Sequence, residues 1–467
     1  MIIFVMDITK TRMKIIIEGA GQVGSHLAKM LSHEGGDITV IDDNEARLQR
    51  LTSTADVITV FGDPSSITVL REAGCAKADL FIAVNPTTTQ TVNIVSALLA
   101  KRLGSKRVIA RIDDEAYLLP ENKLIFKDMG IDMLFYPEKI ASDEIIDLLK
   151  HTASTDSMDF ARGKLQLVVF RLDDDSPVLD MKVAEFTAAM TAESPQTQLR
   201  IIAISRKGET IIPKFDTRFT YNDHLYIIAK REGIPAILKF LGKDNIEVDK
   251  VMILGGSEIG EMVAAQLLKQ QLDAVKIIDI DKQRCRELTE KLPSDVLVAN
   301  GDARNSDFLV EEGIRDYDAL VACTGNDEAN ILSCVVAKKF GVTRTVAQVE
   351  NLEYLRLAED MGVDAVINKK LITAGRIFKF TLSDKVRFVR YMSGTDAEVL
   401  EYTAAPNSKI TKGALKDIAF PRNAIIGGVI RGSDSFIAVG DTHIEPYDRV
   451  AVFALPETVK EVDKFFK

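Results

Sequence analysis

Gly19, Gly21 and Gly24 stand at the spacing G-x-G-x-x-G, and the carboxylates of Asp42 and Asp43 follow about 20 residues on. The run reads Gly19-Ala20-Gly21-Gln22-Val23-Gly24. Residues of this kind bind rather than break bonds. The first glycine permits a tight bend, the second a close backbone approach to a pyrophosphate, and the third close helix–strand packing. A helix opening at the turn aims free N–H groups and a partial positive charge at phosphates. The acid after the next strand, Asp42, can accept both ribose hydroxyls and would repel a 2′-phosphate, which favours NAD(H) over NADP(H). Asp63 ends a later strand and either touches the adenine or ribose side or caps the next helix. Arg111, at another strand end, either pairs with phosphate or forms a surface salt bridge.

No residues of the opposite kind, those that do covalent chemistry, fall into a pattern. His26, His33, His151, His224 and His443 do not recur at equivalent places and have no spaced carboxylate or cysteine partner. There is no GxSxG, HExxH or Walker lysine. Cys75, Cys285, Cys323 and Cys334 are scattered and read as small buried apolar residues in a reducing compartment, with no metal set. The chain is expected to bind nucleotide without consuming it, and so not to be an enzyme.

The elements that must hold these residues follow from apolar patterning. Lys14 to Glu18 reads as a buried strand, Gln22 to Leu31 as an amphipathic helix, and Ile38 to Ile41 as a second strand. Strands at 57–61, 79–84 and 107–112 alternate with helical stretches, and a last short strand leads into a helix from Glu138 to Leu149. This alternation predicts a doubly wound parallel sheet. The polar run 151–160 reads as a linker. The next 80 or so residues change character: strands at 164–171, 198–205 and 225–229, a hairpin turn at 206–209, and a helix within 178–189.

The whole plan then repeats. Gly255-Gly256-Ser257-Glu258-Ile259-Gly260 answers the first turn, Asp279 answers Asp42, Asp302 answers Asp63, and Cys323-Thr324 fall at the strand end that answers Asn85-Pro86. Asn330 matches Asn93, and AKKFG at 337–341 matches AKRLG at 100–104. Ser257 replaces a glycine, Glu258 replaces Gln22 and Gln348 replaces Arg111. These changes predict a second site weak for a dianionic ligand, or suited to a less charged adenosine ligand. The expected fold class is α/β, with Rossmann-like doubly wound domains at 13–150 and 248–385. Small α+β domains are expected at 160–241 and 386–467. Residues 1–12 are expected to be an extension or an alternative start ahead of Met13.

Bulk numbers suit such a protein: 467 residues, 46% hydrophobic and 27% charged. A net charge of −10 argues against a nucleic-acid partner or direct docking on anionic lipid. No apolar run approaches the ~20 residues of a membrane span, and the first residues make no signal peptide. A cytoplasmic location is expected.

The runs MKIIIEGAGQVG, DITVIDDNEARL, VLREAGC-x-x-ADLFIAV, RVIARI and GNDEANILSCVVAKKFG are similar to those of the RCK (KTN) domains that regulate potassium channels and transporters. The tandem order resembles the NAD-binding regulatory subunits of bacterial potassium uptake. The resemblance implies RCK-N and RCK-C domains in alternation, with dinucleotide along Gly19 to Val23 and its ribose on Asp42. It sets Asn85, Pro86 and Arg111 near the adenine or phosphate side. It further implies NAD(H), with ATP or ADP as further ligands, and a polytopic potassium transporter subunit of TrkH type as partner. A ring of eight RCK units would make the chain a tetramer, held at the inner face of the plasma membrane through that partner. Two alternatives stay open: an NAD-dependent oxidoreductase, or a soluble sensor acting on another cation transporter such as a potassium–proton antiporter.

Overall fold

The structure is a computed structural model that describes residues 13–33, 36–85, 90–150, 156–160, 164–195, 197–243, 248–270, 272–378, 386–391 and 397–467. The chain divides into two compact units, Met1–Ile140 and Ala141–Lys467.

In the first unit β1 (Lys14–Glu18), α1 (Gln22–His33), β2 (Asp37–Asp42), α2 (Glu45–Thr52), β3 (Ile58–Phe61) and α3 (Ile67–Glu72) form one half. The other half is β4 (Leu80–Ala83), α4 (Gln90–Leu103), β5 (Arg107–Arg111), α5 (Pro120–Met129), β6 (Met133–Phe135) and the start of α6 (Pro137–Lys150). The sheet order is β3-β2-β1-β4-β5-β6, parallel throughout. Its strands are short and nearly continuously apolar because helices cover both faces. The order reverses between β1 and β4, which places the first glycine turn at the switch point where ligands bind in open α/β sheets.

The second unit opens with residues 141–150 of α6 and then a small module. That module comprises β7 (Asp156–Phe160), β8 (Leu165–Arg171), α7 (Val183–Glu193), β9 (Leu199–Arg206), β10 (Glu209–Ile211), β11 (His224–Ala229) and α8 (Ile234–Phe240). Its antiparallel sheet runs β10-β9-β11-β8-β7. The linker expected at 151–160 is therefore corrected: Asp156–Phe160 is an edge strand paired with β8, and residues 151–155, His151 among them, lie outside the described residues. The sequence DSMDF has only two apolar positions, at period two, too faint a signal against polar neighbours. The helix expected within 178–189 is present but runs on to Glu193; it begins at Val183, because Asp180 takes a left-handed φ of 63° and Lys182 caps α7 with Glu185 accepting its N–H at 2.8 Å. The predicted hairpin turn is present, with Lys207 and Gly208 both at positive φ.

A second doubly wound sheet follows from β12 (Lys250–Leu254), α9 (Glu258–Leu268), β13 (Ala274–Asp279), α10 (Lys282–Lys291), β14 (Val296–Asn300) and α11 (Ser306–Glu311). It is completed by β15 (Ala319–Ala322), α12 (Asp327–Lys339), β16 (Arg344–Gln348), α13 (Leu352–Asp360), β17 (Ala365–Ile367) and α14 (Lys369–Phe378). Its order, β14-β13-β12-β15-β16-β17, repeats the first. The last sheet, β18-β19-β22-β20-β21, is built from β18 (Val386–Tyr391), β19 (Glu398–Thr403), β20 (Ala424–Arg431), β21 (Asp434–Ile437) and β22 (Arg449–Ala454), with α15 (Pro456–Val462) behind.

Within this unit the two small sheets share one core. Phe160, Leu165, Leu167, Tyr226 and Ile228 pack with Val399, Ile430 and Phe453. Gly427 and Gly428 make room for this: a Cβ on Gly428 would fall 2.6 Å from the Leu165 side chain. The core of the second doubly wound domain also takes in Ala141, Ile145, Ile146, Leu148 and Leu149 from α6, packed with α9 residues and strand residues such as Ile253 and Val321.

Candidate functional site

At the first turn β1 hands over to Gly19 at φ 102°, where a Cβ would meet the Asn85 backbone at 2.9 Å. The Gly19 N–H donates to the Ile41 carbonyl. A Cβ on Gly24 would lie 1.8 Å from the Gly19 carbonyl oxygen, so only glycine lets α1 start this close to β1. Gly21 is half-buried, Gln22 is exposed and Val23 packs inward. No acidic residue stands in the first turn of α1. The positive end of that helix therefore faces the turn without a carboxylate of its own.

Asp42 is buried and already at work. Its Oδ2 accepts the Ala20 N–H at 2.6 Å and its Oδ1 the Asn44 N–H at 2.8 Å. The Arg47 guanidinium stands 3.7 Å from Oδ1. A carboxylate offers about four acceptor positions, so ribose recognition would use those left over. Asp42 thus shapes the turn as well as lining it.

Asp63 is exposed and accepts the Ser65 N–H and hydroxyl at 2.8 and 2.7 Å, which holds its carboxyl below the usual range. It caps no helix; Ser66 occupies the N-cap position of α3. Arg111 is mostly buried between Glu138, 3.3 Å from Nη2, and Asp113, 3.4 Å from Nε. The ion-pair alternative is thus present, and the pair is internal rather than at the surface. Asn85 is buried at the end of β4, while Pro86 lies outside the described residues.

The second turn copies the backbone. Gly255 has φ 103°, a Cβ on Gly260 would sit 2.2 Å from the Gly255 carbonyl oxygen, and Asp279 accepts the Gly256 N–H at 2.6 Å and the Asp281 N–H at 2.7 Å. Ser257 turns its side chain back onto the protein. Its hydroxyl caps α9, accepting the Gly260 N–H at 3.3 Å and donating to the Cys323 carbonyl at 2.8 Å. Glu258, which replaces Gln22, is exposed, and Ile259 behind it is buried. Asp302 is bound by Arg304 through Nε and Nη2, and Asn305, not Asp302, caps α11. Burial pushes the Cys323 thiol up to about 12, leaving it unreactive. Thr324 bonds through its hydroxyl to Asn330 at 2.6 Å.

Several residues beside the two turns have roles that the sequence did not show. Asn93, buried on α4, accepts the Asn85 N–H at 3.0 Å and donates to the Asn85 and Arg111 carbonyls at 3.1 and 3.3 Å, stitching two strand ends together. Asn330 does the same for Thr324 and Gln348. Their recurrence in both halves was visible; their role needed the sheet. Glu18, the last residue of β1, is wholly buried and bonds to the Ser96 hydroxyl, with Oε1 unpartnered. Burial, with Asp63 and Asp42 adding to it, pushes its carboxyl up to about 8. Leu254 holds the equivalent position in the second half. Among the described residues no His, Cys, Asp and Glu group could hold a metal ion, and no helix is long and apolar enough to cross a membrane.

Two doubly wound sheets with glycine turns at their switch points, each followed by a small antiparallel module, define the tandem RCK class of fold. The chain matches the TrkA-N domain over residues 15–137 and 251–369 and the TrkA-C domain over 167–242 and 399–467. It is 33% identical to the Trk system potassium uptake protein TrkA of Halomonas elongata, over 97% of this chain and 99% of that one. It is 32% identical to the TrkA homolog of Archaeoglobus fulgidus, over 97% and 100%. Among solved structures it is similar to the GsuK RCK domain (18% identity, TM-score 0.60, 98% of this chain and 96% of that). It is also similar to the GsuK channel bound to NAD (19% identity, TM-score 0.59, 98% and 79%). These two likenesses fix the fold. The chain belongs to the TrkA family of potassium uptake proteins, a family of transport-system proteins and not of enzymes.

Proposed function

We propose that the chain is a nucleotide-sensing regulatory subunit that gates a membrane potassium transporter of Trk type. The observation that carries this most is the first turn, in a chain of this family: backbone N–H groups at an acid-free helix start, beside the buried Asp42. In this reading residues 13–150 bind NAD(H), with ATP or ADP as competing ligands, along Gly19 to Gly24 with Asp42 on the ribose. Residues 248–385 form the second, nucleotide-binding-like unit, and 160–241 and 386–467 the RCK-C modules. Supporting a homo-oligomeric, tetrameric ring are exposed apolar side chains on matching helices of both doubly wound domains. They are Val95, Leu124 and Ile125 on α4 and α5, and Leu332, Leu357 and Met361 on or beside α12 and α13. A ligand acts on the transporter only through its unequal affinity for two arrangements of such a ring. The test is potassium flux through vesicles holding a TrkH-type subunit with this chain. A flux that ignores both the chain and NADH removes the proposal.

Two outcomes follow. Calorimetry should show NADH binding more tightly than NADPH, and Asp42→Ala should weaken NADH binding by about 1–3 kcal/mol, the cost of losing charge-assisted hydrogen bonds. Because Asp42 also holds Ala20 and Asn44, that variant should melt earlier as well; equal NADH and NADPH affinities would contradict the assignment. On its own the chain, with its charge of −10, should not sediment with protein-free anionic vesicles, but should do so once the transporter subunit is present.

A further inference from the structure

The two turns share a backbone but not a charge arrangement. In the second half Arg284, on the first turn of α10, reaches back across the glycine turn. Its Nε donates to the Gly256 carbonyl at 2.5 Å and its Nη2 to Glu261 at 2.6 Å, with Glu287 3.4 Å from Nη1. Lys291 also stands 3.4 Å from Glu261. Glu258 and Glu261 both lie in the first turn of α9. In the first half the matching arginine is Arg47, five residues after the strand-ending acid as Arg284 is after Asp279. Where Glu261 stands, the first half has Ser25, whose hydroxyl donates to the Ala20 carbonyl at 2.9 Å. α1 therefore has no carboxylate with which to capture Arg47.

We propose that the Arg284–Glu261 pair is an internal latch over the second glycine turn, with the Glu261 carboxylate standing where a ligand's negative charge would be held, and that position 261 decides whether this half accepts a pyrophosphate dinucleotide. The argument rests on the reading of the first turn as a nucleotide site. A helix start and one nearby guanidinium provide a limited positive field. Among the described residues, Arg47 in the first half faces only Asp42, at 3.7 Å, and no carboxylate of α1, which leaves room for a dianion; in the second, Glu261 and Glu287 already hold the guanidinium, and further negative charges would be repelled. The ribose-facing acid remains in place as Asp279. An uncharged adenosine moiety is thus the ligand chemistry the latched half still admits.

The test is the stoichiometry of NADH binding to the full chain by calorimetry, for the natural sequence, Glu261→Ser and Glu258→Gln/Glu261→Ser. Serine is the residue the first half tolerates at this place, and Glu261→Gln serves as a second variant of unchanged length. Thermal melts check folding. The expected result is one NADH per natural chain and two per double variant, the new site at least tenfold tighter than any residual second binding before. Glu261→Asp, which keeps the charge, should stay at one. Two equal NADH per natural chain, or folded variants that gain nothing, would overturn the latch. Should the natural chain bind no NADH, the reading of the first turn fails; a site gained only on removing Glu261 would still uphold the latch, and no gain would refute it.

Discussion

Glu18→Leu should stabilise the first unit by about 3 kcal/mol at pH 7.5, although it removes a hydrogen bond. Glu18 is wholly buried, and its carboxyl is raised from 4.5 to about 8. Between those values the folded protein holds a proton that the unfolded chain releases. Stability therefore falls with rising pH by about 1.4 kcal/mol per unit, from near 4.5 until the folded group itself ionises near 8. Below pH 4.5 both states are protonated and the penalty vanishes. Leucine, the residue the second half carries as Leu254 in an apolar cluster, removes the titrating group. Melting of the natural protein from pH 5 to 8 should show a declining midpoint for the first unit, and the variant a flatter one. Parallel curves would mean that Glu18 is ionised in the folded state and paired.

Gly24→Ala should cost about 3 kcal/mol or more and abolish NADH binding. The new methyl would fall 1.8 Å from the Gly19 carbonyl oxygen and 3.1 Å from a Val84 methyl, and the first of these is backbone that cannot turn aside. The turn would have to open, taking the α1 N–H groups out of register. Gly74→Ala is the control: Gly74 has φ 86° with nothing within 4 Å of a Cβ, so only the left-handed penalty of about 1 kcal/mol applies. Thermal melts and NADH titration of the pair separate crowding from backbone conformation. Equal losses would show that the close approach at Gly24 is not what fixes the turn.

The fold was legible because its signals are local and occur twice. A glycine turn between an apolar strand and an amphipathic helix, followed by an acid at a strand end, is written in consecutive residues, and the repeat gave each element a second reading. What escaped was whatever depends on loop geometry or on partners distant in sequence. Asp63 and Asp302 were open between ligand contact and helix cap; Ser66 and Asn305 hold the cap positions, and each carboxylate meets a residue two positions on, which only the loop geometry reveals. Ser257 showed in the sequence only as a serine in place of a glycine; that its hydroxyl caps α9 and turns back to the Cys323 carbonyl needed the fold. Glu18 ended an apolar strand and passed unnoticed; its burial comes from α4, which supplies Ser96 from far along the chain. Arg284 and Glu261 are each unremarkable surface types until α9 and α10 lie side by side.

The packing of α6 residues 141–149 into the core of the second doubly wound domain has a consequence for how the chain can be divided. The repeat in the sequence and the compact units of the fold are out of phase. A fragment cut where the second glycine-turn strand begins, near Val248, would leave behind Ile145, Ile146, Leu148 and Leu149, all buried against that strand's own core. The uncovered surface would be a contiguous apolar patch, the kind that drives self-association. A fragment that keeps α6 together with the first small module retains its own lid. Within the second unit, residues 141–149 and the second doubly wound domain therefore form one packing unit, and a cut at the repeat boundary strips the cover from both.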